Sequence, residues 1–330
     1  MNPHRILVTG SDGLIGRWVS HLLVERGHEV VALDCRDLTE SRERYRKHVA
    51  DIRDADALHA VIEAERPDAV IHLAARTDLD EAATLDDYDS NTIGVRNVCA
   101  AVRASGSVTR AVYTSSQLVC RVGYQPASDT DVCPTTVYGE SKVRTEEVVR
   151  EERGGDVTWC LTRPTTVWGP YMKAHYRNLL RHIEAGRYFH AGRSPLYKSY
   201  SYAGNIAHQY RQLLLAPDEA VHEKTFYLAD YEPLSLRAYT DRIAELLDAK
   251  PIPTVPILAA RALAATGDAL NALGWRGFPY NTFRLTNILT EYVIDLSETE
   301  AVCGPLPYGF DEGVRETVAW YRNGEGAARG

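Results

Sequence analysis

The chain has 330 residues, 45% of them apolar and 25% charged, which is enough for a full core or two closely joined units and is ordinary for a globular enzyme. Its net charge of −8 argues against nucleic acid or an anionic membrane as partner, but not against an anionic small molecule, which senses only nearby groups. Cysteines at 35, 99, 120, 133, 160 and 303 form no Cys-x-x-Cys or His/Cys set, so no metal site is read and a reducing, cytoplasmic setting is expected.

The N-terminus runs straight into a strand over 5–9, without a signal-peptide pattern. A glycine turn and a helix to Glu25 follow, closed by Gly27. Further strands are expected at 30–33, 69–73, 110–114 and 157–161, with helices over 55–64, around 95–104 and around 140–152 between them. Apolar strands separated by helices imply right-handed crossovers and a parallel sheet. Beyond Pro164 the rhythm loosens: helices over 179–185 and 236–247 lie between loops, and a strand at 225–228 returns to the main sheet. The stretch 252–270 is interrupted by Pro253, Pro256, Arg261 and Asp268. It is too broken to span a bilayer and reads as one or two packed helices. Trp320 and Tyr321 should pack the last helix onto the body.

Gly10, Gly13 and Gly16, with Leu14 and Ile15 between the last two, sit between the first strand and the first helix. Gly10 permits the tight turn, Gly13 a close approach of backbone to a pyrophosphate, and Gly16 close helix–strand packing. The helix N-terminus offers free N–H groups to the anion. Asp34, ending the next strand, suits adenosine ribose hydroxyls and repels a 2′-phosphate, so NAD is favoured; Arg36 is the one neighbour that would tolerate NADP. The expected fold is α/β: a Rossmann-type doubly wound parallel sheet over 1–165, with a smaller C-terminal substrate-binding lobe over 166–330.

Tyr138 and Lys142 are four residues apart and share a helix face. A protonated Lys near a phenol favours the phenolate, which makes Tyr138 an acid/base candidate. Lysine is scarce here, at 47, 142, 173, 198, 224 and 250, so Lys rather than Arg at 142 fits a compact ammonium approaching ribose hydroxyls. Thr114, Ser115 and Ser116 close a strand where parallel sheets bind ligands, and a hydroxyl there would orient a substrate toward Tyr138.

In order along nearly the whole chain, Gly10/Gly13/Gly16, Asp34, Asp51-Ile52, Leu73-Ala74-Ala75, Asn91, Ser115-Ser116, Tyr138/Lys142 and 163–170 (Arg-Pro-Thr-Thr-Val-Trp-Gly-Pro) resemble the extended short-chain dehydrogenase/reductases of the nucleotide-sugar epimerase/dehydratase group. The resemblance implies that Asp51 and Ile52 flank the adenine and that Leu73, Ala74 and Ala75 line the cofactor path. It implies that Asn91 holds the strand ends around the cofactor, that Ser116 is the catalytic hydroxyl, and that Thr165 lies near the nicotinamide. Gln117 and Leu118 stand where dehydratases carry acids, which argues against water elimination. Thr166 stands where sugar epimerases often have Asn. Lys198 occupies the family's Arg position, and Arg284 that of its diphosphate-binding Arg, so the pair would clamp a nucleoside diphosphate. Gln117 and Thr166 would complete the substrate site.

The leading expectation is an NAD-dependent nucleotide-sugar epimerase, acting at C4 of a UDP-sugar through a transient ketone, as a homodimer. The competing expectation is an NAD(P)-dependent dehydrogenase or keto-reductase of a nucleotide-sugar or a steroid- or flavonoid-like alcohol; a 4,6-dehydratase ranks lower. A non-catalytic NAD-sensing scaffold is the reading from another class.

Overall fold

The computed structural model describes residues 4–37, 45–80, 82–274 and 281–328. Its first half runs β1 (Arg5–Thr9), α1 (Leu14–Glu25), β2 (Glu29–Asp34), β3 (Arg46–Val49), α2 (Ala55–Glu65), β4 (Ala69–His72), α3 (Asp89–Ser105), β5 (Arg110–Thr114), α4 (Val137–Glu151), the single turn α5 (Arg153–Asp156) and β6 (Thr158–Pro164). In β1, Ile6 and Val8 enter one core layer and Leu7 the opposite layer, as side chains alternating across a pleated strand must. Helices cover both faces, so each strand is apolar throughout. Local signals set the ends. Asp54 caps α2 by accepting from Ala57 N at 3.0 Å, and Thr136 caps α4 by accepting from Gly139 N at 3.0 Å. The Thr136 cap starts α4 earlier than hydropathy alone suggests and puts Tyr138 in its first turn.

The second half contains β7 (Thr166–Trp168), α6 (Ala174–Glu184), β8 (His190–Ala191), β9 (Tyr197–Lys198), β10 (Tyr200–Tyr202), α7 (Ala203–Leu215), α8 (Asp218–Val221), β11 (Lys224–Leu228), β12 (Leu234–Ser235), α9 (Leu236–Leu246), β13 (Thr254–Val255), α10 (Ile257–Ala272), α11 (Thr282–Leu289), α12 (Ser297–Cys303) and α13 (Phe310–Ala328). The stretch read as one or two helices is the single helix α10. No described helix is long and apolar enough to cross a membrane.

The main sheet has seven parallel strands in the order β11-β6-β5-β4-β1-β2-β3. Strand order reverses between β1 and β4, and the crevice at such a switch point is where open α/β sheets bind ligands. The edge strand β3 was not expected, because Arg46-Lys47-His48-Val49 has no apolar pattern. Three two-stranded sheets, β10–β7, β12–β9 and β13–β8, build the C-terminal lobe. Its core, centred on Trp168, Tyr202, Tyr239 and Val314, borrows Leu14 and Trp18 from α1. Tyr321 is buried and its hydroxyl donates to Glu184 at 2.7 Å, whereas Trp320 only flanks this core.

Candidate active site

The glycine turn opens the switch-point crevice. Gly10 has φ +70°, and a Cβ there would sit 2.6 Å from the Ala74 nitrogen; a Cβ on Gly16 would sit 2.1 Å from the Gly10 carbonyl oxygen. Both positions therefore require glycine. A Cβ on Gly13 would meet only that same oxygen, at 3.2 Å. Gly13 begins α1 without a side-chain cap, so the N–H groups at Leu14 and Ile15 stay available to an anion. The buried Ser11 hydroxyl has no protein partner.

Asp34 is buried, and its carboxylate accepts from Asp12 N (3.0 Å), Arg36 N (3.0 Å) and Arg36 Nε (3.2 Å). Arg36 is thus bonded to the acid rather than set apart from it. Inside the turn, Asp12 meets the β3 residue Lys47 at 2.7 Å, the two side chains being 1% and 3% exposed. Sequence reading missed this pair. An acid in an anion-binding turn, in a chain with six lysines, was the signal.

Across the crevice, the Thr9 hydroxyl accepts from Leu73 N (3.2 Å) and Ala74 N (3.3 Å) and bonds His72 Nδ1 (2.8 Å). Asn91 is a bolt: its amide donates to Arg76 O and Ser141 Oγ, both at 2.9 Å, and its oxygen accepts from Arg76 N at 2.9 Å. The loop after β4, with Ala75, is thereby tied to α3 and α4. Ile52 is buried against Gly94, where an added Cβ would lie 2.5 Å from Ile52 Cδ1. The Asp51 carboxylate is bonded by Arg53 at 2.6–3.1 Å and held below the usual carboxylate range by it.

At the head of the crevice, Ser116, Tyr138, Lys142, Gln117 and Thr165 come together from the ends of β5, α4 and β6, all at most 8% exposed. The Gln117 Oε1 and Thr165 hydroxyl have no protein partner. Burial pushes the Tyr138 phenol up to about 12; a hydrogen bond with Ser116 pulls it back, and Tyr176 and Tyr88 add to the rise. Lys142 does not bond Tyr138 directly. Its ammonium instead donates to the Thr114 carbonyl at 2.7 Å, and burial lowers it to about 8. One turn on, Glu146 receives a bidentate pair from Arg163 (2.7 and 2.8 Å), the arginine being fully buried. That pair, also missed, anchors the α4 turn that carries Lys142 to β6.

The expected diphosphate clamp is not assembled. Lys198 is 1% exposed, and its ammonium donates to the Asn287 carbonyl at 2.9 Å and to the Thr290 carbonyl; burial lowers it to about 8. It ties β9 to the end of α11 rather than facing a ligand. Arg284 is exposed on α11 and lines a pocket of about 110 Å³ in the lobe. Thr166 hydrogen-bonds the Tyr176 and Tyr200 phenols. These tyrosines continue the site beyond Tyr138 and were not singled out from sequence.

The switch-point crevice, glycine turn and acid ending β2 define a dinucleotide-binding α/β enzyme, and the partnerless Ser11 and Thr165 hydroxyls fit a bound dinucleotide. A family model described as the NAD dependent epimerase/dehydratase family matches residues 6–229, and the chain belongs to that family, as an NAD-dependent enzyme of the extended short-chain dehydrogenase/reductase type. It is 29% identical over 328 residues to a 2-alkyl-3-oxoalkanoate reductase of Stenotrophomonas maltophilia, covering 94% of this chain and 93% of that one. It is 24% identical over 323 residues to the N-acetyl-alpha-D-glucosaminyl-diphospho-ditrans,octacis-undecaprenol 4-epimerase of Escherichia coli O157:H7, covering 96% and 94%. In fold it is similar to the Thermus thermophilus UDP-glucose 4-epimerase in complex with NAD, with TM-score 0.71, 22% identity and 96% and 99% coverage.

Proposed function

We propose that this chain is an NAD-dependent keto-reductase, working reversibly on a secondary alcohol with an apolar body. The observation that carries the choice is Lys198: the cation expected to hold a diphosphate is buried and bonded to two main-chain carbonyls, while the Ser116–Tyr138 pair stands ready at the crevice. Gly10, Gly13 and Gly16 with the N–H groups of Leu14 and Ile15 would hold the pyrophosphate, Asp34 the adenosine ribose, and Asp51 and Ile52 the adenine. Leu73, Ala74, Ala75 and Asn91 would wall the path to the nicotinamide at Thr165, with Lys142 at its ribose. When bound there, NADH would supply the hydride for the carbonyl carbon and leave as NAD+. Ser116 and Gln117 orient the carbonyl. Tyr138, a neutral phenol at pH 7 because its pKa lies near 12, donates its proton to the oxygen, and the alcohol results. The 2-alkyl-3-oxoalkanoate reductase likeness supports this direction. The test is NADH oxidation with a panel of 3-oxoalkanoates: one alcohol formed per NADH consumed is expected. No consumption with any ketone overturns the reading.

The second reading is C4 epimerisation of a UDP-sugar through a transient ketone, favoured by the near-full-length likeness to the undecaprenol-linked 4-epimerase. It expects epimer without added NADH, and no net NADH change. A scaffold would keep its biological effect in Tyr138→Phe.

A further inference from the structure

Cys120 and Cys133 meet at the neck of the loop that runs from the Ser116 turn to α4. They form a parallel β-bridge. The Cys133 N–H donates to the Val119 carbonyl and the Arg121 N–H to the Cys133 carbonyl, both at 3.0 Å. Paired residues of neighbouring strands carry their side chains on the same face, and such strands lie about 4.7–4.9 Å apart. That spacing falls within the range of about 4.4–6.8 Å between Cα atoms that a disulfide tolerates. Neither cysteine is in a disulfide. Cys120 is 1% exposed, its thiol set 3.5 Å from the Asp131 carbonyl, and burial raises that thiol above its ordinary value. Cys133 is half-buried, and none of residues 121–132 is buried. Cys133 rather than Cys120 is therefore the thiol that a small oxidant meets first.

We infer that Cys120 and Cys133 are a redox-modified pair, joined by a low-molecular-weight disulfide such as oxidised glutathione into a bond that clamps the Ser116–Gln117 turn against the start of α4. The Cys133 thiol gives its proton to water, and its sulfur attacks the oxidant, forming a mixed disulfide and releasing one small thiolate. The Cys120 sulfur then attacks Cys133 Sγ, its proton also going to water, and the second small thiolate leaves. Two small thiolates take up the two protons, so one disulfide is reduced as the other forms. The product needs Cβ atoms about 3.8 Å apart, so closure draws the two arms together by about 1 Å. One arm is the turn Gln117–Val119, in which Leu118 N donates to Ser116 Oγ at 3.2 Å. The other leads through Pro134 to the Thr136 cap of α4. Both already press on Gly139, where an added Cβ would lie 2.3 Å from the Leu118 carbonyl oxygen and 3.2 Å from Pro134 Cβ. With no slack there, the movement passes to the adjoining Tyr138 and its bond with Ser116. That the turnover affected is ketone reduction rests on the keto-reductase reading; the disulfide and the clamped turn do not.

The test uses the full chain carrying Cys35→Ser, which removes an exposed competing thiol, equilibrated in glutathione buffers from reducing to oxidising. Alkylation and peptide mass mapping should find one disulfide, between 120 and 133, that dithiothreitol reverses. Amide hydrogen exchange across 117–120 should slow in the oxidised form, and NADH-linked turnover should fall on the order of 10–100-fold and return on reduction. Cys133→Ser should keep the reduced enzyme's exchange and turnover in every buffer. Cys120→Ala, which leaves the mixed disulfide unresolved, should hold one glutathione on Cys133. Cys120 and Cys133 alkylated as thiols throughout, a disulfide to any other cysteine, or a 120–133 disulfide with unchanged exchange across 117–120 would overturn the inference. An enzyme that forms the bond and slows in exchange but reduces no ketone in either form supports the pair and sinks the keto-reductase reading alone.

Discussion

The sheet half and the C-terminal lobe spend their buried polar groups differently. Around the switch-point crevice, the Ser11 and Thr165 hydroxyls and the Gln117 oxygen are left without protein partners, and the glycine turn keeps its N–H groups uncapped. In the lobe, Lys198, His190 and Arg237 are taken up by carbonyls and acids of the chain itself. A buried polar group costs free energy unless it is bonded. Unbonded groups gathered in the crevice therefore fit a ligand that completes the structure, whereas the lobe's isolated ones, Trp168 Nε1, Arg177 Nε and Asn271 Oδ1, gather at no such site. A basic residue at a family landmark is not a ligand site once its hydrogen bonds are spent.

Four substitutions break or sharpen that contrast. The largest effect is expected from Tyr138→Phe, which removes the proton donor and should cut NADH-linked turnover about 10²–10⁴-fold with the melting temperature unchanged. A matching loss of stability would recast Tyr138 as core. Arg163→Met leaves Glu146, 2% exposed, as an acid without its main partner, and urea unfolding should show a loss of about 3–5 kcal/mol; a neutral result would mean that Arg150, 3.0 Å away, suffices. Lys142→Met tests the cost of a buried ammonium. The folded pKa of about 8 lies below the ordinary 10.5, so the charge costs stability below pH 8 and the cost is relieved as pH rises from 8 to 10.5. Relief of the charge amounts to about 3 kcal/mol at pH 7, offset by about 1–3 kcal/mol for the Thr114 carbonyl left unbonded; the net gain at pH 7 should shrink through pH 8 and become a loss above 10.5. A gain that is flat with pH contradicts the assignment. Lys198→Met should do least: burial also lowers this ammonium to about 8, so the relieved charge is offset by two carbonyls left unbonded, with the same pH trend as at Lys142 and KM unaltered. A raised KM would restore Lys198 to the ligand.

Chain order and hydropathy made most of the sheet legible, because β1, β2, β4, β5 and β6 are buried on both faces and must be apolar. β3 was invisible for the opposite reason. Its Arg46, Lys47 and His48 are satisfied by Glu65 and Asp12 (2.7–3.0 Å), and ion pairing leaves no hydropathy signature. In the site, the glycines, Asp34, Asn91, Ser116, Tyr138 and Thr165 fall around one crevice as expected, since short motifs at strand ends fix their own local geometry. Lys198 did not, because its neighbours Asn287 and Thr290 are distant in sequence and only the path of the lobe brings their carbonyls to it. The same holds for Glu146 and Arg163, and for the tyrosines beyond Thr166.

The Asp12–Lys47 contact gives that unassuming edge strand a second office. An acid within a turn that receives a pyrophosphate repels the ligand unless a countercharge sits beside it, and the countercharge rides on β3, the outermost strand. Sheet edges open locally at less cost than sheet centres. Fraying of β3 would draw the lysine away from Asp12 and leave that carboxylate less screened beside the glycine turn, which links the sheet's rim to the turn electrostatically.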